Sequence, residues 1–259
     1  MIARLPGSIL HQHALDFFSS KTISKKSWFH QVRDCCMLYG LPHPLDLLSY
    51  PIPKDQFKLY VKKKILSYWE IQLRDEAAAL PSLKFFHAEY MSLKKPHPIW
   101  LTAGSSPAKV RKATIQARML SGRYRTEALC RHWCTTNRKG VCLMSPECSE
   151  TLEDMEHILQ HCPALNDTRR YLLNYTEAYV SKLPLPVADL ISSHCSPSSS
   201  FYCQFLLDCS SLPSVIALLQ EHGSSFLYDL FEVSRTWVFA IHRDRLRCLN
   251  RWVPGKRLM

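Results

Sequence analysis

Glycine is scarce in this chain, and several motifs that mark enzymes are missing. The seven glycines among 259 residues are scattered, which excludes the glycine-rich loops that hold nucleotide phosphates. No two aspartates are adjacent, so the paired carboxylates of a two-metal polymerase are absent. The sequence also contains no Walker, His-Glu-x-x-His or Gly-x-Ser-x-Gly motif. We therefore expect neither catalysis by the chain itself nor a small-molecule substrate.

Long apolar runs are missing as well, because no segment approaches the ~20 apolar residues that a membrane helix needs. The N-terminus lacks a charged region followed by an apolar run and a cleavage site, so no secretory signal peptide is predicted. Eleven cysteines are nevertheless present, which is a high and odd number. Without secretory features, such cysteines are expected to be reduced, with some on metal. These observations predict an intracellular protein, in the nucleus or the cytoplasm, with no membrane partner.

Positive charge is abundant and unevenly distributed. The formal net charge is +11 and the isoelectric point is near 9.2, which favours a polyanionic partner such as RNA or DNA. Most of the excess lies between residues 109 and 139, where nine basic residues accompany a single acidic one, Glu127. The candidate phosphate contacts of this segment are Lys109, Arg111, Lys112, Arg118, Arg123, Arg125, Arg131, Arg138 and Lys139.

Tyr124 stands between Arg123 and Arg125 in this basic segment. An aromatic ring flanked by two guanidinium groups can stack on a base while the arginines hold phosphates. The alternative is a tyrosine anchored in the core between two solvated arginines. The sequence leaves both interpretations open, so Tyr124 is a further candidate contact for nucleic acid.

Three cysteines and one histidine at metal-ligand spacing follow the basic segment. Gaps of five, eight and four residues separate the members of this series, which are Cys142, Cys148, His157 and Cys162. Three thiolates and one imidazole are a ligand set that Zn²⁺ takes in closed tetrahedral sites, where the metal is structural and not catalytic. Pro146 favours a turn between the first two cysteines, and Pro163 discourages helical conformation at the last one. The series predicts a small zinc knuckle.

Alternatives to this ligand set exist in the sequence. The gap of five residues is wider than the usual two to four, so the four residues could also be unrelated buried side chains. His161 competes for the histidine position, and Cys130 and Cys134 compete for a cysteine position.

Apolar residues recur at helical spacing along most of the chain, and strict alternation is not sustained anywhere. The predicted helices include residues 28–39, 54–80 and 224–249. A further helix is expected to begin near Ser149 and to carry His157 on the side opposite its apolar residues. The expected fold class is mainly α, an irregular multi-helix bundle that carries the Cys-Cys-His-Cys knuckle.

Four regions are expected along the chain. They are an N-terminal helical region (1–93), a linker or ordered loop (94–107), a basic helix with the zinc-knuckle segment (108–180) and a C-terminal helical region (181–259). The second region is rich in proline and serine, so it is the candidate subdomain boundary. The final helix ends in arginines at positions 243, 245, 247 and 251. Cations are common at helix C-termini, so we interpret these arginines primarily as helix-terminal charges and only secondarily as contacts to nucleic acid.

The run from Arg118 to Arg170 resembles a known class of sequence. It begins RMLSGRYRTEALCRHW, contains the ligand series with the stretch EHILQHCP, and ends TRR. Together with WFHQVRDCCMLYGLPHPLDLL, HPIWLTAGSS and SRTWVFAIHRDRL, it resembles the C-terminal tail of non-LTR (LINE-type) retrotransposon polyproteins, which follows the reverse transcriptase domain. The likeness covers roughly residues 28 to 252.

The resemblance implies a zinc-knuckle segment that helps to grip template RNA or target DNA during target-primed reverse transcription. It also implies that the four residues of the series are the zinc ligands. The polymerase and endonuclease parts of such polyproteins are absent from this chain, which suggests a nucleic-acid-binding fragment. Two other functions are considered: a helical scaffold for protein interaction, and an accessory part of a reverse transcriptase supplied in trans.

Overall fold

The computed structural model describes residues 9–19, 27–87, 93, 95–133, 139–197 and 199–252. These residues form twelve α-helices: α1 (Ile9–Ser19), α2 (Trp28–Leu38), α3 (Pro44–Ser49), α4 (Lys54–Ala79), α5 (Pro98–Leu101), α6 (Pro107–Leu120), α7 (Glu127–Trp133), α8 (Asn166–Val180), α9 (Leu185–His194), α10 (Tyr202–Asp208), α11 (Pro213–His222) and α12 (Leu227–Trp252). Beyond one isolated β-bridge, no strand occurs within these ranges. The predicted mainly α fold class is confirmed.

The chain divides into two compact units, the N-terminal unit (Met1–Glu76) and the C-terminal unit (Ala77–Met259). The division therefore falls near the end of α4. Residues 94–107, predicted as a linker or ordered loop, belong to the C-terminal unit and include α5. Ile99 of this helix is buried in the core of that unit. The proline-rich segment is thus packed within the C-terminal unit and does not form the border between the two compact units.

The N-terminal unit has a small core between its first three helices. Ala14, Phe18 and Leu48 are its buried apolar residues. The rings of Phe18 and Phe29 meet edge to face, with centroids 5.1 Å apart. Helix α4 has no buried residue. Most of its apolar pattern is therefore only partly covered.

The core of the C-terminal unit forms around α12, which packs against α6, α8 and α10. Trp237 is fully buried, and its ring meets that of Tyr202 edge to face at a centroid distance of 5.7 Å. The indole Nε1–H donates a 2.8 Å hydrogen bond to the hydroxyl of Thr176. Phe205 and Phe231 complete a set of large aromatic side chains without exposed surface. We call this set the aromatic core.

Among the described residues, one stretch, Tyr202–Glu221, is long and apolar enough to cross a membrane by length and composition. In the fold, 61% of its most apolar window is buried. The chain also leaves helical conformation at Leu212, between α10 and α11. This stretch is thus weak evidence for a membrane span, because the core helices of other proteins pass the same test.

Most helix positions agree with the sequence pattern. The predicted helices 28–39, 54–80 and 224–249 correspond to α2, α4 and α12, with ends that differ by at most three residues. Gly40 has a φ of +60° after the end of α2, as expected of a glycine that terminates a helix.

The helix expected to begin near Ser149 is a wrong prediction. Residues 149–154 form turns and one side of the β-bridge, and helical conformation begins only at Met155. The N–H of Glu153 donates to the carbonyl of Gly140 at 3.0 Å, which is a cross-strand pairing. Long-range pairing of the backbone therefore overrides the acidic residues that favour a helix start here.

Candidate metal centre and cationic cleft

The four predicted ligands lie together in the C-terminal unit. We call them the Cys/His cluster: Cys142, Cys148, His157 and Cys162. Their candidate ligand atoms all lie within 4.8 Å of one another, and all four residues are buried. The sulfurs of Cys142 and Cys162 are 3.8 Å apart. A disulfide would bring them to about 2.0 Å, whereas two thiolates on one tetrahedral Zn²⁺ at about 2.3 Å would be about 3.8 Å apart.

A short antiparallel pairing positions the first ligand. Val141 and Leu152 form the β-bridge, and the N–H of Cys142 donates to the carbonyl of Thr151 at 2.8 Å. This pairing fixes the backbone on both sides of the loop that contains Cys148.

A single turn of 3₁₀-helix, Pro146–Cys148, positions the second ligand. The hydroxyl of Ser145 accepts the N–H of Glu147 at 3.3 Å and so caps this turn. The N–H of Met144 lies 3.5 Å from the sulfur of Cys142, within hydrogen-bonding distance. The turn predicted from Pro146 thus brings the two cysteines together.

The third and fourth ligands lie at the two ends of a π-helical turn, His157–His161. In a regular α-helix, residues five apart would point about 140° away from each other. Here the N–H of Cys162 donates to the carbonyl of His157 at 2.7 Å, five residues back. Cys162 itself is extended, with ψ 116°, before Pro163. The chain leaves the helix at this residue as the proline predicts.

Arg169 supports this turn from α8, and the sequence analysis did not identify it. Its buried guanidinium donates to the carbonyl of Cys162 and, at 2.7 Å, to the side chain of Asn166. It also lies 3.4 Å from the carbonyls of Ile158 and Leu159. A helix end needs donors for its last carbonyls, and an arginine one turn into the next helix is the signal that could have revealed this role.

The electrostatics of the cluster favour a bound cation. A hydrogen bond from the Cys162 thiol lowers the pKa of Cys142 to about 5, and the same contact raises the pKa of Cys162. Burial raises the pKa of the Cys148 thiol. Both ring nitrogens of His157 are buried without a hydrogen-bond partner in the described part of the chain. A bound cation would displace the thiol protons and would lie among the four ligand atoms, so the residues fit a metal ion.

The rival ligands lie outside the cluster. His161 is exposed and Cys130 is half-buried, and neither belongs to the group. Cys134 lies outside the described residues. Within the described ranges, the Cys/His cluster is the one group of its kind that could hold a metal ion.

A second feature of the C-terminal unit is a cleft of about 540 Å³, which we call the cationic cleft. It lies between α6, the loop that follows it, and α12. Its described lining residues are Ile115, Arg118, Arg123, Tyr124, Arg125, His242, Arg245 and Leu246. Four of these eight are arginines and none is acidic, so the cleft is suited to a negatively charged ligand.

The predicted phosphate contacts fall into three groups. Three of them, Arg118, Arg123 and Arg125, line the cleft with exposed side chains. Two others, Lys109 and Lys112, pair with Glu232 at 3.4 and 3.7 Å. The side chains of Arg111, Arg131 and Lys139 are exposed outside the cleft lining. Arg138 lies outside the described residues.

Tyr124 requires a correction. Its side chain is only 6% exposed, so its ring offers no free face to a base. Its hydroxyl forms a 2.9 Å hydrogen bond with Nδ1 of His242. The guanidinium carbon of Arg245 lies 5.3 Å from the ring centroid. Tyr124 is therefore an anchor beneath the cleft and not a stacking platform.

Two residues of the cleft were not predicted as contacts: His242 was not identified from the sequence, and Arg245 was interpreted mainly as a helix-terminal charge. Both lie on α12, more than 100 residues along the chain from the basic segment. Arg245 and Leu246 follow His242 by three and four residues, so the three side chains lie on one face of the helix. This spacing could have indicated a shared surface on the helix. The preference of cations for helix C-termini, however, already explained the presence of Arg245.

No protein-family profile, curated protein or solved structure matches this chain.

Proposed function

We propose that the C-terminal unit is a nucleic-acid-binding module in which Zn²⁺ holds the knuckle. Three sulfurs and one imidazole are a ligand set typical of Zn²⁺. Four protein ligands leave no open position for a water nucleophile, which supports a structural metal and a chain without catalysis of its own. Bound zinc would stabilise the loop between the two ends of the cluster.

The observation that carries the proposal is the cationic cleft. Arg118 and Arg123 are exposed, and neither has an acidic partner among the described residues. Guanidinium groups bind phosphate with two parallel hydrogen bonds, and a cleft lined by one sign of charge concentrates its counter-ion. The nucleic-acid backbone, of RNA or DNA, is the polyanion that we assign to this cleft.

Contacts to phosphate dominate this proposal, because the one aromatic candidate is covered. The ring of Tyr124 is enclosed by Arg245 and His242, which leaves no exposed face for base stacking. Contacts to the backbone position a protein on nucleic acid without reading its sequence. We therefore expect affinity with little sequence preference.

A salt titration with a matched pair of variants tests the proposal. Arg118→Ala with Arg123→Ala removes two charges from the cleft, whereas Lys109→Ala with Lys112→Ala removes two charges that lie outside the cleft lining and pair with Glu232. The cleft variant should weaken binding and reduce the log–log salt slope by about 0.9 per lost contact on duplex, or about 0.7 on single strands. The lysine variant should stay close to the wild-type slope.

Two results would count against nucleic-acid binding through the cleft. One is wild-type affinity that does not change between low and moderate salt. The other is an equal loss in the two double variants, because binding would then follow net charge and not the cleft.

Protein docking is a second candidate function, favoured by the N-terminal unit. This unit exposes several large apolar side chains, among them Trp28, Met37, Tyr50, Leu59 and Trp69. Exposed apolar residues in number are typical of interaction surfaces. A reverse transcriptase domain supplied in trans is the partner that the sequence resemblance suggests. Such a complex should survive an excess of RNA, and dissociation by RNA would instead favour a shared nucleic-acid surface.

The cysteines suggest the compartment. The ten described cysteines are all free thiols. Reduced cysteines are typical of the cytosol and nucleus, which supports an intracellular location for the module.

A further inference from the structure

The Cys/His cluster and the cationic cleft are connected through one buried carboxylate, Glu153. Cys142 and Glu153 lie on opposite sides of the β-bridge, as diagonal neighbours whose side chains share one face of the pairing. Both side chains are buried, whereas Leu152 on the other face is 42% exposed. A displacement of the ligand loop therefore displaces this carboxylate.

Glu153 connects the bridge to two other elements. Its Oε1 accepts the N–H of Glu127 at the start of α7, at 3.0 Å. The same oxygen accepts a hydrogen bond from the guanidinium of Arg245 on α12, in an ion pair whose side chains are 0% and 5% exposed. A buried pair of this kind has little freedom, because separating its charges leaves each without compensation.

Arg245 continues the connection to the cleft. It lines the cleft, and its guanidinium carbon lies 5.3 Å from the centre of the Tyr124 ring. Tyr124 is the anchored residue between Arg123 and Arg125, the exposed arginines of the cleft loop. The position of Arg245 thus helps to determine the positions of these cationic groups.

We infer that Glu153 and Arg245 are positioning residues that couple metal binding at the Cys/His cluster to nucleic-acid binding in the cationic cleft. This inference rests on the proposed function, since it says how one part of that site acts on the other. Coupling of two ligands is reciprocal, so nucleic acid in the cleft should also strengthen the hold on the metal. Reciprocity applies to the two affinities, and we expect the gain in metal affinity to appear as slower metal release, which can be measured on the folded, metal-loaded chain.

The experiment follows metal release. The chain is loaded with Co²⁺, whose bond to thiolate absorbs in the near ultraviolet, and the loss of this absorbance is followed after adding excess EDTA. A saturating single-stranded oligonucleotide should slow release from the wild-type chain about fivefold or more. In the Glu153→Gln variant, which retains all four cluster residues, release with and without oligonucleotide should be nearly equal.

Two further variants make the result specific. Glu156→Gln removes the same charge from the residue that precedes His157. Glu156 forms an exposed ion pair with Lys84, with 2.6 Å between Oε2 and Nζ. It should keep the wild-type ratio of release rates. Should Glu153→Gln fail to fold, the double change Glu153→Gln with Arg245→Gln leaves a neutral pair able to hydrogen-bond. That variant should fold, bind Co²⁺ and show a ratio near one.

The outcomes separate this inference from the proposed function. A wild-type chain that does not bind the oligonucleotide at all overturns both. A chain that binds through Arg118 and Arg123, but whose Glu153 variants keep the wild-type ratio of release rates, overturns the coupling alone. Equal release rates in the wild-type chain with and without bound oligonucleotide have the same consequence.

Discussion

The knuckle, residues 140–162, and the aromatic core around Trp237 belong to the same compact unit but are held together in different ways. In the core, large aromatic side chains lose all contact with solvent and pack edge to face. Burial of apolar area on this scale stabilises a fold without any ligand. The aromatic core therefore needs nothing beyond its own side chains.

The knuckle has much less apolar material. Leu143 and Leu152 are 39% and 42% exposed, and the loop between them contains one short turn and is closed by the β-bridge of Val141 with Leu152. Its buried side chains combine three apolar residues, Met144, Ile158 and Leu159, with the three thiols and the imidazole of the Cys/His cluster. The metal ion that we propose for the cluster would add to the stability of this segment, as it does in small metal-binding domains. The comparison thus sets a part held by apolar packing beside a part with a proposed metal site.

The largest effect is expected from the loss of one ligand. Cys162→Ser removes a fully buried thiolate from the cluster, and structural zinc contributes on the order of 10 kcal/mol in small zinc-binding peptides. Zinc binding should be lost, and hydrogen exchange should accelerate in residues 140–162. The amides around Trp237 should remain protected.

The matched control is Cys203→Ser. Cys203 is also buried in the C-terminal unit, but it contacts Gln160 and lies outside the cluster. Its replacement should leave zinc binding intact. Equal loss of zinc from both variants would contradict the assigned ligand set.

A smaller effect is expected from Trp237→Ala, which should destabilise the aromatic core and leave the knuckle and its metal unaffected. This change leaves a cavity in the aromatic core and removes the donor to Thr176, so the free energy of unfolding should fall by about 3–5 kcal/mol. The metal content of the folded variant should be unchanged. Trp100→Ala is the comparison in chemical denaturation, because that side chain is 43% exposed and its loss should cost about 1 kcal/mol or less.

The smallest of these effects concerns the backbone of the knuckle. Gly140 has a φ of +74°, and an added Cβ would lie 3.3 Å from the Cα of Ala128, whereas Gly104 has a φ of +57° with no atom within 4 Å. An alanine at either position is strained by about 1–2 kcal/mol because of its positive φ. Gly140→Ala should cost about 1 kcal/mol more by overpacking. Equal midpoints of thermal unfolding would show that the knuckle adapts without strain.

The grouping of the Cys/His cluster could be predicted from the sequence, but the path of the chain between its members could not. Spacing and two prolines favoured Cys142, Cys148, His157 and Cys162, and the structure was needed to place the alternatives His161 and Cys130 outside the cluster. The acidic residues after Ser149 indicated a helix start, but they could not reveal that Glu153 pairs its backbone with Gly140. Local preferences describe a helix end well only where no distant segment competes for the same hydrogen bonds.

The cleft shows a related limit. Arg118 and Arg123 were found because they are neighbours in a basic segment. His242 and Arg245 contribute through α12, and only the packing of α12 against α6 brings them to the same place. The packing of α12 against α6 also decides whether Tyr124 faces a base or the core. Composition and periodicity do not predict this packing.

Arg169 has one more consequence, for the charge balance of the metal centre. A divalent cation held by three thiolates and a neutral imidazole has a net charge of −1, which is costly in a region shielded from water. The guanidinium that donates to the Cys162 carbonyl is buried, and no carboxylate pairs with it in the described part of the chain. Its single positive charge would offset the net negative charge of the metal with its ligands, so a divalent ion, the four residues of the Cys/His cluster and Arg169 would together carry no net charge.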